Sequence, residues 1–136
     1  MDAEPLWLTS EDVYAIHHEQ LRLFGGLSGV KDDNLVGSAL TAPVHLYIYE
    51  EQHDVLTLAV KLCHALVKNH GFVDGNKRTA TAAMIEFLAI NGYDLFVPDD
   101  KAEAPVLGVW VEKLVQGQLT PEQLCDRLKH FLRSAG

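Results

Sequence analysis

The helical spacing of apolar residues between positions 55 and 91 constrains this chain most. Val55, Leu58, Ala59, Leu62, Cys63, Leu66 and Val67 recur at intervals of three and four, the stripe of an amphipathic helix running from about Asp54 to Asn69. Ala80, Ala83, Met84, Phe87 and Leu88 repeat that spacing after the stretch HGFVDGNKRT at 70–79, and Asn91-Gly92 supplies a stop. The second helix is apolar on most faces, which marks it as the buried central one.

The bend between these helices carries an electrostatic oddity. A helix starting near Asn76 places Lys77 and Arg78 in its first turn, where the dipole is positive and cations are disfavoured. Free backbone N–H groups crowd the same end. An anion among them resolves the conflict, and phosphate is the commonest such guest.

The rest of the chain is also helical in pattern. Thr9 with Asp12 forms a capping box ahead of Val13, Ile16, Leu21 and Phe24, and Gly25-Gly26 ends that helix. Either Asp32 or Asp33 caps a short helix through Leu35, Ala39 and Leu40, which Ala42-Pro43 is expected to end. In residues 44–50, VHLYIYE, apolar and polar positions alternate, and this period of two predicts an extended flap, with a helical extension as the alternative. A further helix is expected over roughly 103–116. Thr120, Pro121 and Gln123 cap a last one running to about Arg133.

Composition narrows the class. The 136 residues, 48% hydrophobic, are expected to form a single domain spanning 1–136. A net charge of −8, with 19 acids against 11 bases, argues against non-specific nucleic-acid binding, which needs the reverse balance. Anions must therefore be captured locally. Cys63 and Cys125 lie among apolar neighbours and read as buried free thiols of a reducing compartment. With no apolar stretch long enough for a bilayer and no signal segment, a cytoplasmic protein without membrane association is expected. The histidines at 17, 18, 45, 53, 64 and 130 form no metal-ligand spacing.

At the bend each residue type has a chemistry. Gly75 permits a backbone shape that a side chain would block, and with Asn76 it turns N–H groups toward a phosphate. Arg78 offers a rigid charged fork and Lys77 a compact charge. Asp74 is placed to hold magnesium together with phosphate oxygens. His70 brings an imidazole, the side-chain type suited to a general base. Phe72 is expected to turn inward and pin the loop. Taken singly, His70 is a helix cap and Asp74-Gly75-Asn76 a turn. The plain reading leaves the two cations unexplained.

His70, Phe72, Asp74, Gly75, Asn76, Lys77 and Arg78 together spell HxFxDGNKR, which resembles the signature loop of the Fic/Doc superfamily. The GGLSGV turn near residue 25 and the SALTAP segment resemble the Doc branch in particular. The resemblance implies an all-α fold, a bundle of about six helices, that binds ATP and Mg2+ at the central helix's N-terminus. His70 would be the general base, Asp74 the metal ligand, and Gly75, Asn76 and Arg78 the phosphate cradle.

Most Fic enzymes resemble HPFxxGNGR and transfer AMP to a protein hydroxyl. Lys77 stands here at the second glycine and Gly71 at the proline, as in Doc toxins, for which the resemblance implies a protein kinase that phosphorylates a threonine of elongation factor Tu and so arrests translation. Lys77, with His70 and Arg78, then counts among the catalytic residues. Gly75, where Doc-type loops often carry Ala, lies between the two patterns. No Glu is followed by Gly or Asn, so the self-inhibiting Fic motif is missing and inhibition is expected from a Phd-like antitoxin. The flap residues Leu46, Tyr47, Ile48 and Tyr49 either offer an edge to an extended substrate peptide or simply pack. AMP transfer and a catalytically silent interaction module are the alternatives.

Overall fold

Four of the six helices among the described residues begin at side-chain caps that the sequence announces. Thr9 and Thr120 form full capping boxes with Asp12 and Gln123, and Asp32 and Asp54 accept from the amides of Asn34 and Thr57. The computed structural model describes residues 3–99 and 104–136. Its helices are α1 (Ser10–Phe24), α2 (Asp33–Tyr49), α3 (Val55–Asn69), α4 (Asn76–Ile90), α5 (Val106–Val115) and α6 (Pro121–Leu128). A two-stranded antiparallel sheet joins β1 (Tyr93–Leu95) to β2 (Leu132–Ser134), with Tyr93 opposite Ser134 and Leu95 opposite Leu132. The fold is the expected all-α bundle.

The centre is the α3–α4 pair. Leu58, Ala59, Leu62, Cys63 and Leu66 of α3 and Ala80, Ala83, Met84, Phe87 and Leu88 of α4 are all buried. The other elements wrap this pair: α2 and α6 lie on α3, and α1 and α5 on α4. Trp7 stacks on Phe87 at 5.7 Å. Both cysteines are buried free thiols, and burial pushes Cys63 up to about 12 and Cys125 to about 11. Among the described residues no helix is long and apolar enough to cross a membrane.

The structure corrects two boundaries and one element type. The flap expected at 44–50 is the second half of α2, which runs unbroken past Pro43 to Tyr49. Val36, Ala39 and Pro43 are buried, and Leu40, Leu46 and Tyr47 pack against the core. This three-and-four spacing is helical, so the alternation within 44–49 is a short coincidence inside a longer period. A proline inside a helix removes one backbone bond and costs about 3 kcal/mol. Burial of its ring, with Leu46 and Tyr47 seated beyond it, offsets that cost.

The last helix stops at Leu128 rather than near Arg133. A 3-10 turn, Lys129–Phe131, leads instead into β2, whose partner lies far away in sequence and leaves no local periodicity to read. The start expected for α5 at 103 lies outside the described residues, and the helix that follows begins at Val106.

Candidate active site

Unlike α1, α2, α3 and α6, α4 begins without a side-chain cap. Gly75 occupies the N-cap position in the left-handed region, at φ 76°, and its own carbonyl accepts the first ladder bond, from the Thr79 amide at 3.0 Å. The amides of Asn76, Lys77 and Arg78 therefore have no acceptor within the helix. A helix start that is neither capped by its own sequence nor acidic in its first turn suits an external anion.

The loop leading to it is built from inside. Phe72, 2% exposed, stacks on His17 of α1 with ring centroids 3.9 Å apart and meets Tyr14 edge-on. Asn76, 6% exposed, turns its amide back into the loop: Oδ1 accepts from the Phe72 amide at 3.0 Å and Nδ2 donates to the Phe72 carbonyl at 2.9 Å. Its side chain thus closes the loop, and only its backbone N–H faces the helix start. Residues 29–32 strap the loop from outside. The Val73 amide donates to Gly29, the amides of Lys31 and Asp32 donate to Gly71, and Val30 bridges Phe72. Gly71 must be small, since a Cβ there would lie 2.7 Å from Val36 Cγ2.

His70 ends α3 in the left-handed region, at φ 52°, with its amide on the Leu66 carbonyl. The helix-cap role is therefore real, and it is made by the backbone alone, with the imidazole exposed. The ring's Nδ1 lies 3.2 Å from the Lys31 ammonium. Asp74 receives two backbone amides, Leu27 on Oδ2 at 3.0 Å and Gly75 on Oδ1 at 2.8 Å. These bonds, with smaller help from Arg78 and His17, hold its exposed carboxyl below the ordinary range. Each oxygen keeps a lone pair, so a magnesium ion shared with phosphate oxygens fits this carboxylate.

The two cations of the first turn diverge. Lys77 pairs with Glu112 of α5, a contact exposed enough to contribute little, about 0–1 kcal/mol. Arg78 donates to the Gly25 carbonyl at 3.3 Å and lies 5.3 Å from the centroid of Phe24. That carbonyl ends α1, where the dipole favours a cation. Arg78 is thus at the wrong end of α4 but at the right end of α1. His70, Asp74, Gly75, Asn76, Lys77 and Arg78 nevertheless line one cleft of about 410 Å³, closed on its sides by Val67, Val73 and Val115.

Four of the expected site residues stay outside. Leu46, Tyr47, Ile48 and Tyr49 ride on α2, about 18 Å along the helix from the turn at Val36 that touches the loop, at 1.5 Å per residue. Tyr47 packs edge-on to Trp7, while Tyr49 is 76% exposed. The backbone paired with the loop is instead 29–32.

Comparison with known proteins agrees with this geometry. Residues 7–88 match the Fic/DOC family. The chain belongs to that family. The matched span runs from Trp7 to Leu88, near the end of α4, and so contains the whole loop. Among individual proteins, protein kinase doc of Escherichia phage P1 is 26% identical over 128 residues, covering 94% of this chain and 97% of that protein. Toxin Doc of Mycolicibacterium smegmatis is 41% identical over 73 residues, covering 53% of this chain and 56% of that protein.

Sequence reasoning missed three residues of this Fic/DOC site. His17 was set aside as a non-ligand, yet it stands four residues from Val13 on the buried side of α1. A polar residue on that side was the available signal. Lys31 and Glu112 reach the site only through tertiary packing, and nothing local marks them.

Proposed function

We propose that this chain is the toxin of a toxin–antitoxin pair and that it transfers the terminal phosphoryl group of ATP to a protein hydroxyl. The observation that carries this reading is the conjunction in one cleft of an imidazole, a carboxylate, an uncapped helix start and two cations. The names of the two relatives support it, since one is called a kinase and the other a toxin.

In this reading the triphosphate lies against the amides of Asn76, Lys77 and Arg78, with the Arg78 fork and the Lys77 ammonium on its oxygens. Asp74 holds Mg2+, which when bound supplies charge neutralisation on those oxygens. His70 accepts the proton of the acceptor hydroxyl as its oxygen forms a bond to the terminal phosphorus. The bridging bond to the β-phosphate breaks, and ADP leaves with that electron pair. The acceptor is a threonine of elongation factor Tu, as the resemblance to the Doc branch implies, and its modification arrests translation.

The inhibitor is a Phd-like antitoxin. An apolar cleft of about 650 Å³ lies beside the site between α1, α4 and α5, floored by Leu23, Phe24, Ile85 and Leu107. Its polar edge carries Arg78 and the Lys77–Glu112 pair, so Arg78 is the cation there without a carboxylate partner among the described residues. An amphipathic segment with acidic residues on one border suits it despite the net charge of −8.

AMP transfer is the second reading. It is favoured by the lean of Lys77 onto Glu112, which leaves open the space that a glycine leaves in other Fic loops. ATP labelled at the γ or the α phosphate, incubated with the chain and a translation extract, separates the two. Label from the γ position on the acceptor protein is the expected result, label from the α position establishes AMP transfer, and transfer of neither refutes both.

A further inference from the structure

Lys31 belongs to no motif of the loop, yet its ammonium meets the His70 ring across 39 residues of sequence. Its placement is built. The Lys31 amide donates to the Gly71 carbonyl at 2.7 Å, Val30 bridges Phe72, and Gly71 is held against Val36. His70 is equally fixed, its backbone left-handed at φ 52°. Among the described residues Lys31 has no carboxylate within ion-pairing distance, and the imidazole is its side-chain partner.

An ammonium has three donors and no acceptor. At 3.2 Å it donates to Nδ1, so the neutral ring carries its own proton on Nε2. One nitrogen is then covered and the other protonated, which leaves a hydroxyl no free lone pair. We propose that Lys31 is a positioning residue that holds His70 in the Nε2–H tautomer at rest and must release Nδ1 before the ring accepts a proton. The functional part rests on reading His70 as the base of the transfer reaction. On release, Nδ1 takes the hydroxyl proton, Nε2 keeps its own, and the resulting imidazolium returns one proton to solvent.

The test uses the full chain with 15N-labelled histidine, whose ring-nitrogen shifts distinguish the tautomers at a pH where the ring is neutral. The unliganded protein shows Nε2–H; Lys31→Met populates Nδ1–H; Lys31→Arg, which still only donates, restores the original tautomer. In the γ-label assay Lys31→Met raises kcat several-fold with the KM for ATP unchanged, and Lys31→Arg returns it. A wild-type proton on Nδ1, an unchanged tautomer in Lys31→Met, or a kcat that stays or falls overturns the proposal. If no variant transfers label, the proposed function fails, while the tautomer measurement, made without nucleotide, still decides whether Lys31 holds the ring.

Discussion

The Nε2 of His17 lies 2.8 Å from the carbonyl oxygen of Asp74, while the same ring stacks on Phe72. A carbonyl only accepts, so that nitrogen carries a proton. One buried imidazole thus fixes both the apolar anchor of the loop and the peptide unit that bears its carboxylate. In His17→Phe the stack survives and the hydrogen bond does not. Stability in urea is expected to fall by about 1 kcal/mol, and calorimetric titration is expected to show weaker binding of ATP with Mg2+. Unchanged nucleotide affinity would reduce His17 to packing.

Asn76 and Lys77 are neighbours with opposite expected costs. Asn76→Ala strands the buried amide and carbonyl of Phe72, and unpaired buried groups cost about 1–3 kcal/mol each. Lys77→Ala removes only an exposed pair with Glu112, so its effect is expected to stay below about 1 kcal/mol. Denaturant midpoints of the two variants provide the comparison, and equal losses would mean the loop is not closed by Asn76.

The sequence made the helices of this site legible and left its contacts dark. Capping residues and the stripes on α3 and α4 are local, so Thr9, Asp54, Thr120 and the start at Asn76 could be read directly. The inward turn expected of Phe72 is also what the structure shows. Residues 44–49 misled because a window of six resembles either period, and the burial that decides between them comes from the core. Asn76 illustrates the limit at the site. Its type suggested a phosphate ligand, yet its amide geometry matches the loop backbone better. The anchors of Arg78 on α1 and of Lys77 on α5 arise from pairings 53 and 35 residues apart, beyond any local pattern.

Gly75 offers a sharper test of the Doc-like loop. Its φ of 76° disfavours a side chain, but an added Cβ would meet only ordinary contacts, 3.4 Å to Leu21 and 3.7 Å to His17. Gly75→Ala is therefore expected to fold, to lose about 1–2 kcal/mol from the left-handed conformation, and to keep nucleotide binding. Thermal unfolding with a binding titration checks this, and loss of the fold would show that the cradle tolerates glycine alone.

Asp74 carries a pH signature. Its amide partners Leu27 and Gly75 lower its folded-state pKa, so the stabilisation is present above the ordinary carboxyl range and is lost as pH falls through the lowered value. Asp74→Asn removes the charge. Urea midpoints of wild type and variant are expected to differ near neutrality and to converge in acid. Parallel curves down to the lowest pH would deny the carboxylate its role in holding the 25–27 turn.

His70 and Arg78 separate chemistry from binding. His70 touches no part of the loop's internal hydrogen bonding beyond its own cap, so His70→Asn, a residue that accepts the left-handed conformation, is expected to fold normally and still bind ATP. Loss of the base should slow transfer by about 10²- to 10⁴-fold and abolish growth arrest. Arg78→Ala removes the fork that faces both the cleft and the end of α1, so binding and arrest are expected to weaken together. Arg78→Lys retains the charge without the planar fork and should recover binding only in part. Growth curves after induction, read beside equilibrium binding of the purified variants, distinguish the two residues. A His70→Asn chain that still halts growth as fast as the wild type would remove the imidazole from the chemistry, whatever the fate of Arg78.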